Sequence, residues 1–298
     1  MPSTRRAFLH TAAAVPIAAS QTPPPLPTVK FGGRHEITRL IIGTNPLMGY
    51  SHFNRILDQC MREWMTPERR IETILAAERA GITTWQLHYQ KETIETLKGL
   101  RERGSKIKAF LLSDFELHKD FSMIPDVARL GFLGMAHHGN RTDEAFREGR
   151  MERVLEFVQR ARDAGVMAGV STHNPAVIEW IEEKGWPVDY YMACFYHVTR
   201  TPEQTRALMN GERPLGEPFL EKDPERMTRV IRQTSKPCLG FKILGAGRAG
   251  GSREQIEAAF RFAFAHIKPG DAVIVGMWPK FKDEIAENCD IVRKIHAT

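Results

Sequence analysis

Cysteine is scarce. Four in 298 residues (Cys60, Cys194, Cys238 and Cys289) are too few and too scattered for a disulfide scaffold. Buried free thiols are the expectation, with a Cys194–Cys238 bridge left open because the two fall on consecutive expected strands. Long apolar runs are lacking too. Ala12 to Ala19 is too short and too weakly apolar to span a bilayer, which argues against stable membrane insertion. Charge of one sign is not concentrated either: the net charge is +6, with two of those charges on Arg5 and Arg6. Elsewhere Lys and Arg alternate with Asp and Glu, as in Glu152-Arg153 and Glu182-Glu183-Lys184. That pattern reads as a solvated surface and excludes a nucleic-acid face.

The N-terminus reads as a leader. Ser3-Thr4-Arg5-Arg6-Ala7-Phe8-Leu9 resembles the twin-arginine export motif, and Ala18-Ala19-Ser20 offers small residues for cleavage. No Cys follows, so a lipid anchor is not expected. Gln21 to Pro27 holds four prolines and reads as an extended linker. The chain therefore divides into residues 1–28, leader and linker, and residues 29–298, one folded domain. Export to the periplasm or beyond is the expectation.

Eight short apolar runs alternate with amphipathic helical stretches in the rest of the chain. The runs are Leu40–Gly43, Ile82–Leu87, Ile107–Leu112, Phe132–Ala136, Val166–Val170, Val188–Cys194, Cys238–Ile243 and Ala272–Val275. Expected helices include one opening at Thr66-Pro67, Lys91–Glu102, Glu144–Ala164 and Lys282–Ile295. Regular alternation of this kind implies parallel strands joined by crossover helices, and eight units close a (β/α)8 barrel. Residues 197–222 form an unusually long connection, expected as a lid or substrate wall.

Arg39-Leu40-Ile41-Ile42-Gly43-Thr44, Ala80-Gly81-Ile82-Thr83, Gly169-Val170-Ser171 and Val275-Gly276-Met277 leading to Glu287-Asn288 stand in one order along the chain. Together they resemble the aldo-keto reductase superfamily. The resemblance implies its (β/α)8 barrel and, as one reading, an NADP site at the strand-eight end. The reductase catalytic set does not carry over. Gln86 stands where the resemblance expects Asp, Leu112-Ser113-Asp114 supplies no Lys, and Tyr89 lies in an unfamiliar context. His137 matches. Without the Lys–Asp pair that tunes a tyrosine, carbonyl reduction loses its general acid.

In a closed barrel the C-terminal strand ends meet on one face, where active sites form. Histidines gather there: His88, His137, His138, His173 and His197, with His52 from the first loop. His88, His138 and His173 are the candidate ligands of a divalent metal. The alternative is direct acid–base chemistry by histidine. His137 and His138 cannot both point inward, because side chains alternate along a strand. Lys242, within an apolar run, is a candidate Schiff-base nucleophile or proton donor. His137, His138, Lys242 and Tyr196 form the catalytic candidates.

Asn45, His52, Arg248 and Trp278 are the substrate-binding candidates. Arg248 sits in the glycine-rich loop 245–252, which suits a phosphate or carboxylate. The functional expectation is an exported enzyme acting on a small polar molecule, carbohydrate-like or a hydroxy acid. Its chemistry would be metal-assisted or His/Lys acid–base. A diverged NADP-dependent oxidoreductase and a non-catalytic periplasmic binding barrel are the alternatives.

Overall fold

The computed structural model describes residues 23–212 and 214–297. The twin-arginine-like segment lies outside the described residues. All eight expected runs form strands: β3 (Leu40–Gly43), β4 (Thr84–His88), β5 (Lys108–Leu112), β6 (Gly134–His137), β7 (Met167–Thr172), β8 (Tyr190–Cys194), β9 (Cys238–Phe241) and β10 (Ala272–Gly276). They close as a parallel barrel in the order β10-β3-β4-β5-β6-β7-β8-β9. Closure is made by β10 on β3, with Val273 opposite Leu40 and Gly276 opposite Gly43.

The strands bury both faces, as parallel barrel strands must. One alternate set fills the interior: Ile41, Phe110, Ala136, Met167, Tyr190, Leu239 and Ile274 pack together. The other set, including Ile42, Trp85, Leu111, Val170 and Tyr191, packs outward against the helices. Tyr190 needs space across the barrel. A Cβ on Gly169 would lie 2.4 Å from its Cζ, so glycine at that inward position is a steric requirement.

An antiparallel hairpin, β1 (Thr28–Phe31) and β2 (His35–Thr38), precedes the barrel and was not expected from the sequence pattern. Phe31, fully buried, sits edge-on against Phe110 at 5.4 Å and Tyr190 at 5.8 Å. Since Met167 and Tyr190 begin their strands, the hairpin seals the end opposite the mouth. The expected linker is also not free where it is described: Leu26 is buried, and Arg293 Nε donates to the Pro24 carbonyl at 2.7 Å.

The helical expectations need three adjustments. The stretch 144–164 is not one helix but two, Gly139–Arg147 and Glu152–Asp163, parted at Gly149 with φ +67°. The loop after β3 carries an extra helix, Arg55–Trp64, and the insertion 197–222 carries a short one, Pro202–Leu208. The strand expected to reach Ile243 ends at Phe241, because Lys242 turns left-handed with φ +59°. Cys194 and Cys238 are free thiols on β8 and β9, as are Cys60 and Cys289.

Replacing Phe31 by Ala should lower unfolding stability by about 3–5 kcal/mol, the usual loss for a buried phenylalanine. Equilibrium denaturant unfolding measures it. An unchanged midpoint would show that the hairpin does not seal the barrel.

Candidate functional site

Strand alternation decides which histidines reach the mouth. On β6 the inward positions are Gly134 and Ala136, and His138 follows in the same register. His137 points the other way, into the layer between barrel and helices. It lies edge-on to Phe157 at 5.5 Å and Phe121 at 6.1 Å, and its Nδ1 bonds Thr142 Oγ1 at 2.8 Å. Full burial there drives its pKa well below the usual histidine value. The geometry therefore turns His137 away from the mouth and leaves His138 as the member of the pair that faces it.

His173 follows β7 on the inward face, and it is held more tightly than any other candidate. Its Nδ1 lies 2.9 Å from Asp143 Oδ2, and its backbone N–H donates to the same oxygen at 3.0 Å. Thr199 Oγ1 donates to that oxygen at 2.8 Å, and Thr172 Oγ1 donates to Asp143 Oδ1. Asp143 comes from the helix Gly139–Arg147 and is 3% exposed. Burial alone would raise its pKa, but the hydrogen bonds from His173 and Thr172 outweigh that and hold it below the usual carboxylate value. The helix approaches closely because residue 139 is glycine: a Cβ there would meet His173 Cε1 at 2.9 Å. With Nδ1 committed to Asp143, Nε2 is the free edge of the ring, beside Phe241 at 5.5 Å between centroids.

His138 and His88 are more loosely placed. His138 Nε2 stands 3.6 Å from Asp114 Oδ2. Burial brings His138 down to about 4 despite the pull of Asp114, so its ring is neutral near pH 7. His88 is buried between the rings of Tyr50 at 5.9 Å and Phe115 at 6.2 Å, and burial also lowers its pKa. The expected metal set of His88, His138 and His173 does not converge. Among the described residues no group of three or more His, Cys, Asp or Glu side chains is arranged to hold a metal ion. Of the three, His173 alone is held by a close side-chain hydrogen bond among the described residues; His88 Nε2 and His138 Nδ1 are buried without a hydrogen-bond partner.

A cleft of about 460 Å³ opens at the ends of β3, β9 and β10. Asn45, His52, Gln86, Lys242 and Trp278 all line it, as does the glycine-rich loop at residues 246, 247 and 250. Four predicted residues are thus brought together, with Gln86 added from β4. Trp278 Nε1 is buried without a hydrogen-bond partner, an unmet donor on the cleft wall.

The insertion 197–222 reaches the edge of this cleft through Glu217. Glu217 accepts from His52 Nδ1 at 2.9 Å and from Lys242 Nζ at 3.5 Å, and Asn45 Nδ2 reaches His52 Nε2 at 3.0 Å. Burial raises the Glu217 carboxyl, but the His52 bond and the Lys242 charge outweigh it and bring the pKa down to about 2. Phe219 lies under the Arg248 guanidinium at 3.9 Å and against Tyr196 at 5.0 Å. Arg248 also donates to the His52 carbonyl at 3.2 Å. Tyr196 therefore packs under the insertion, its ring against Phe219. Arg200 and Asp223, both almost fully buried, anchor the insertion at its base.

Sequence reasoning missed Asp143 and Glu217. Asp143 stands five residues beyond His138, one turn into the next helix, and that spacing was the available signal. Glu217 lies in irregular chain and carries no local signal.

No family model matches the chain, and no curated protein matches it in sequence. Solved structures do match. The aldo-keto reductase AKR11C1 from Bacillus halodurans, in its holo form, has a TM-score of 0.58 at 12% identity, over 91% of this chain and 96% of that one. Gox0644 in its apo form gives 0.55 at 14%, over 90% and 88%, and a point variant of it has been solved with NADPH. A truncated 3-deoxy-D-arabino-heptulosonate 7-phosphate synthase from Thermotoga maritima gives 0.51 at 12%, over 91% and 90%. The fold is an aldo-keto-reductase-like (β/α)8 barrel. At such identities the likeness extends to the fold and no further.

The buried histidines make stability depend on pH. His138 and His197 titrate at about 4 in the folded chain, burial being the main cause, against an ordinary 6.5 when unfolded. Between those values the unfolded chain binds protons that the folded chain refuses, so stability falls as pH is lowered through this window. Urea midpoints should drop from pH 6.5 to 4.5, and His138→Gln should flatten the drop. A flat wild-type profile would mean these rings are not buried as described.

Proposed function

We propose that the chain is an enzyme that moves a proton on a small polar substrate held in the barrel mouth, with His173 as general base. The observation that carries this reading is the buried Asp143–His173 pair at the mouth. A neutral imidazole whose Nδ1–H is held by a carboxylate keeps Nε2 unprotonated and oriented, and the carboxylate stabilises the imidazolium once a proton arrives. Lys242 supplies positive charge on the cleft wall, suited to an oxyanion developing on the substrate. His138, neutral through burial, offers a hydrogen bond rather than a charge. Isomerisation or elimination next to a carbonyl or hydroxyl is the reaction class that such groups support, with a carbohydrate-like compound or hydroxy acid as substrate. The twin-arginine-like segment supports export of the folded protein.

The cleft favours a second reading, an NADP-dependent oxidoreductase. It lies at the ends of β3, β9 and β10, and the fold neighbour Gox0644 binds NADPH in a solved variant. The unmet Trp278 Nε1 and the guanidinium of Arg248 beside the cleft fit a nucleotide's acceptors and phosphates, whereas the amides of residues 247–251 are spent on hydrogen bonds to Leu244, Gly245, Gly247 and Gln255. Trp278 and Arg248 would hold it, and when bound it would supply hydride chemistry. Gln86, at the inward position of β4, cannot supply the ionised carboxylate that tunes a phenolic acid.

The test is incubation of the protein with a panel of aldoses, ketoses and hydroxy acids in D2O, read by proton NMR. Deuterium should enter one substrate at a carbon next to a carbonyl or hydroxyl, and His173→Gln should slow this by about 100-fold or more. Turnover unchanged in His173→Gln would remove His173 from the chemistry. Saturable quenching of NADPH fluorescence, without deuterium exchange in any compound, would favour the second reading. Tight retention of one compound with no exchange would mark a binding protein.

A further inference from the structure

Beside the mouth, outside the main cleft, a second cavity of about 230 Å³ opens among Met48, Tyr50, Arg62, Arg70, Gln90 and Glu92. Tyr50 lines both cavities and forms the wall between them. Two guanidiniums face this space without a carboxylate in ion-pair reach among the described residues. Arg70, on the helix Pro67–Arg79, has its Nε buried with no hydrogen-bond partner. Its Nη1 meets the Met48 thioether at 3.4 Å, and sulfur is a weak acceptor. Arg62 donates one bond from Nη1, to the Gly49 carbonyl at 3.1 Å. It is pinned there by steric fit: Gly49 has φ +75°, and a Cβ on it would lie 2.2 Å from Arg62 Cγ.

A buried donor left unmet costs about 1–3 kcal/mol, and an arginine fork is shaped for the two oxygens of a carboxylate or phosphate. The Arg200–Asp223 pair shows how this chain satisfies a buried guanidinium when the partner is its own. At Arg70 the chain supplies no such partner. Glu92 and Glu95 pull the Arg70 pKa upward, but burial outweighs them. We infer that the cavity between Arg62 and Arg70 is a binding site for an oxyanion, a carboxylate or phosphate group, with Gln90 and the Tyr50 hydroxyl available at its rim. The site stands independently of the chemistry in the mouth. A ligand long enough to pass Tyr50 would carry its anionic end here.

The experiment uses the full chain and reads the arginine Nε–Hε signals by 1H–15N NMR at low ionic strength, pH 7. Inorganic phosphate and malonate are titrated separately, with sodium chloride as the control for ionic strength. The Arg62 and Arg70 signals should shift saturably with one or both anions and not with chloride. The stronger of the two tells a phosphate site from a carboxylate site. Arg70→Met, which keeps the aliphatic stem, should weaken binding by about tenfold or more, and Glu92→Gln should tighten it by about threefold. Arg248→Met, beside the main cleft, should leave it unchanged. Absence of a saturable shift overturns the inference. So does loss of binding in Arg248→Met with retention in Arg70→Met. If Arg70→Met does not fold, the Glu92→Gln arm decides: unchanged or weaker binding there contradicts the site.

Discussion

Asp143, almost fully buried, ties its own helix by hydrogen bonds to two other parts of the chain. It belongs to the helix after β6, it takes the Thr172 hydroxyl and the His173 N–H and ring from the end of β7, and it takes Thr199 from the start of the long insertion. An ionised carboxylate removed from water is costly unless its lone pairs are met. Here they are met by the residues whose positions define the mouth. Removing Asp143 would leave the ring of His173 without its orienting bond and the insertion without one of its inner ties. The buried Arg200–Asp223 pair repeats the arrangement at the base of the insertion, so the lid-like segment is fixed to the barrel at two buried carboxylates.

The insertion's outer end is held differently. Glu217 is partly open to solvent, with its side chain 38% exposed, and water screens its bonds to His52 and Lys242. His52 and Lys242 both take positive φ, 55° and 59°, a conformation that costs a non-glycine residue of order 1 kcal/mol or more. The segment thus combines rigid buried anchors near the barrel with solvent-screened ties at the edge of the cleft. That gradient suits a wall that yields at its tip while the residues around Asp143 keep their geometry.

Much of the fold was legible because a parallel barrel strand buries both faces and so appears as an uninterrupted apolar run, as in Leu40–Ile42 and Ala272–Val275. The turn at Lys242 was not legible, since nothing in Gly240-Phe241-Lys242-Ile243 announces a left-handed residue. The sealing hairpin was missed for another reason: Phe31 and Ile37 are stabilised by Phe110 and Tyr190, which lie far away in sequence. Of the site, the placement of the strand ends that carry His88, His138 and His173 on one face of the barrel followed from topology alone. The choice between His137 and His138 depended on register, which a one-residue shift reverses. Metal ligation depended on convergence of side-chain tips, which strand positions do not determine.

The central claim is that Asp143 fixes His173 with Nδ1 protonated and Nε2 free toward the mouth. Imidazole 15N chemical shifts of the full-length protein, recorded at a pH where the ring is neutral, test it directly. The account predicts one tautomer, with Nδ1 carrying the proton and Nε2 unprotonated, and mixed tautomers in Asp143→Asn. A wild-type ring protonated at Nε2, or a tautomer balance unchanged by Asp143→Asn, would contradict it.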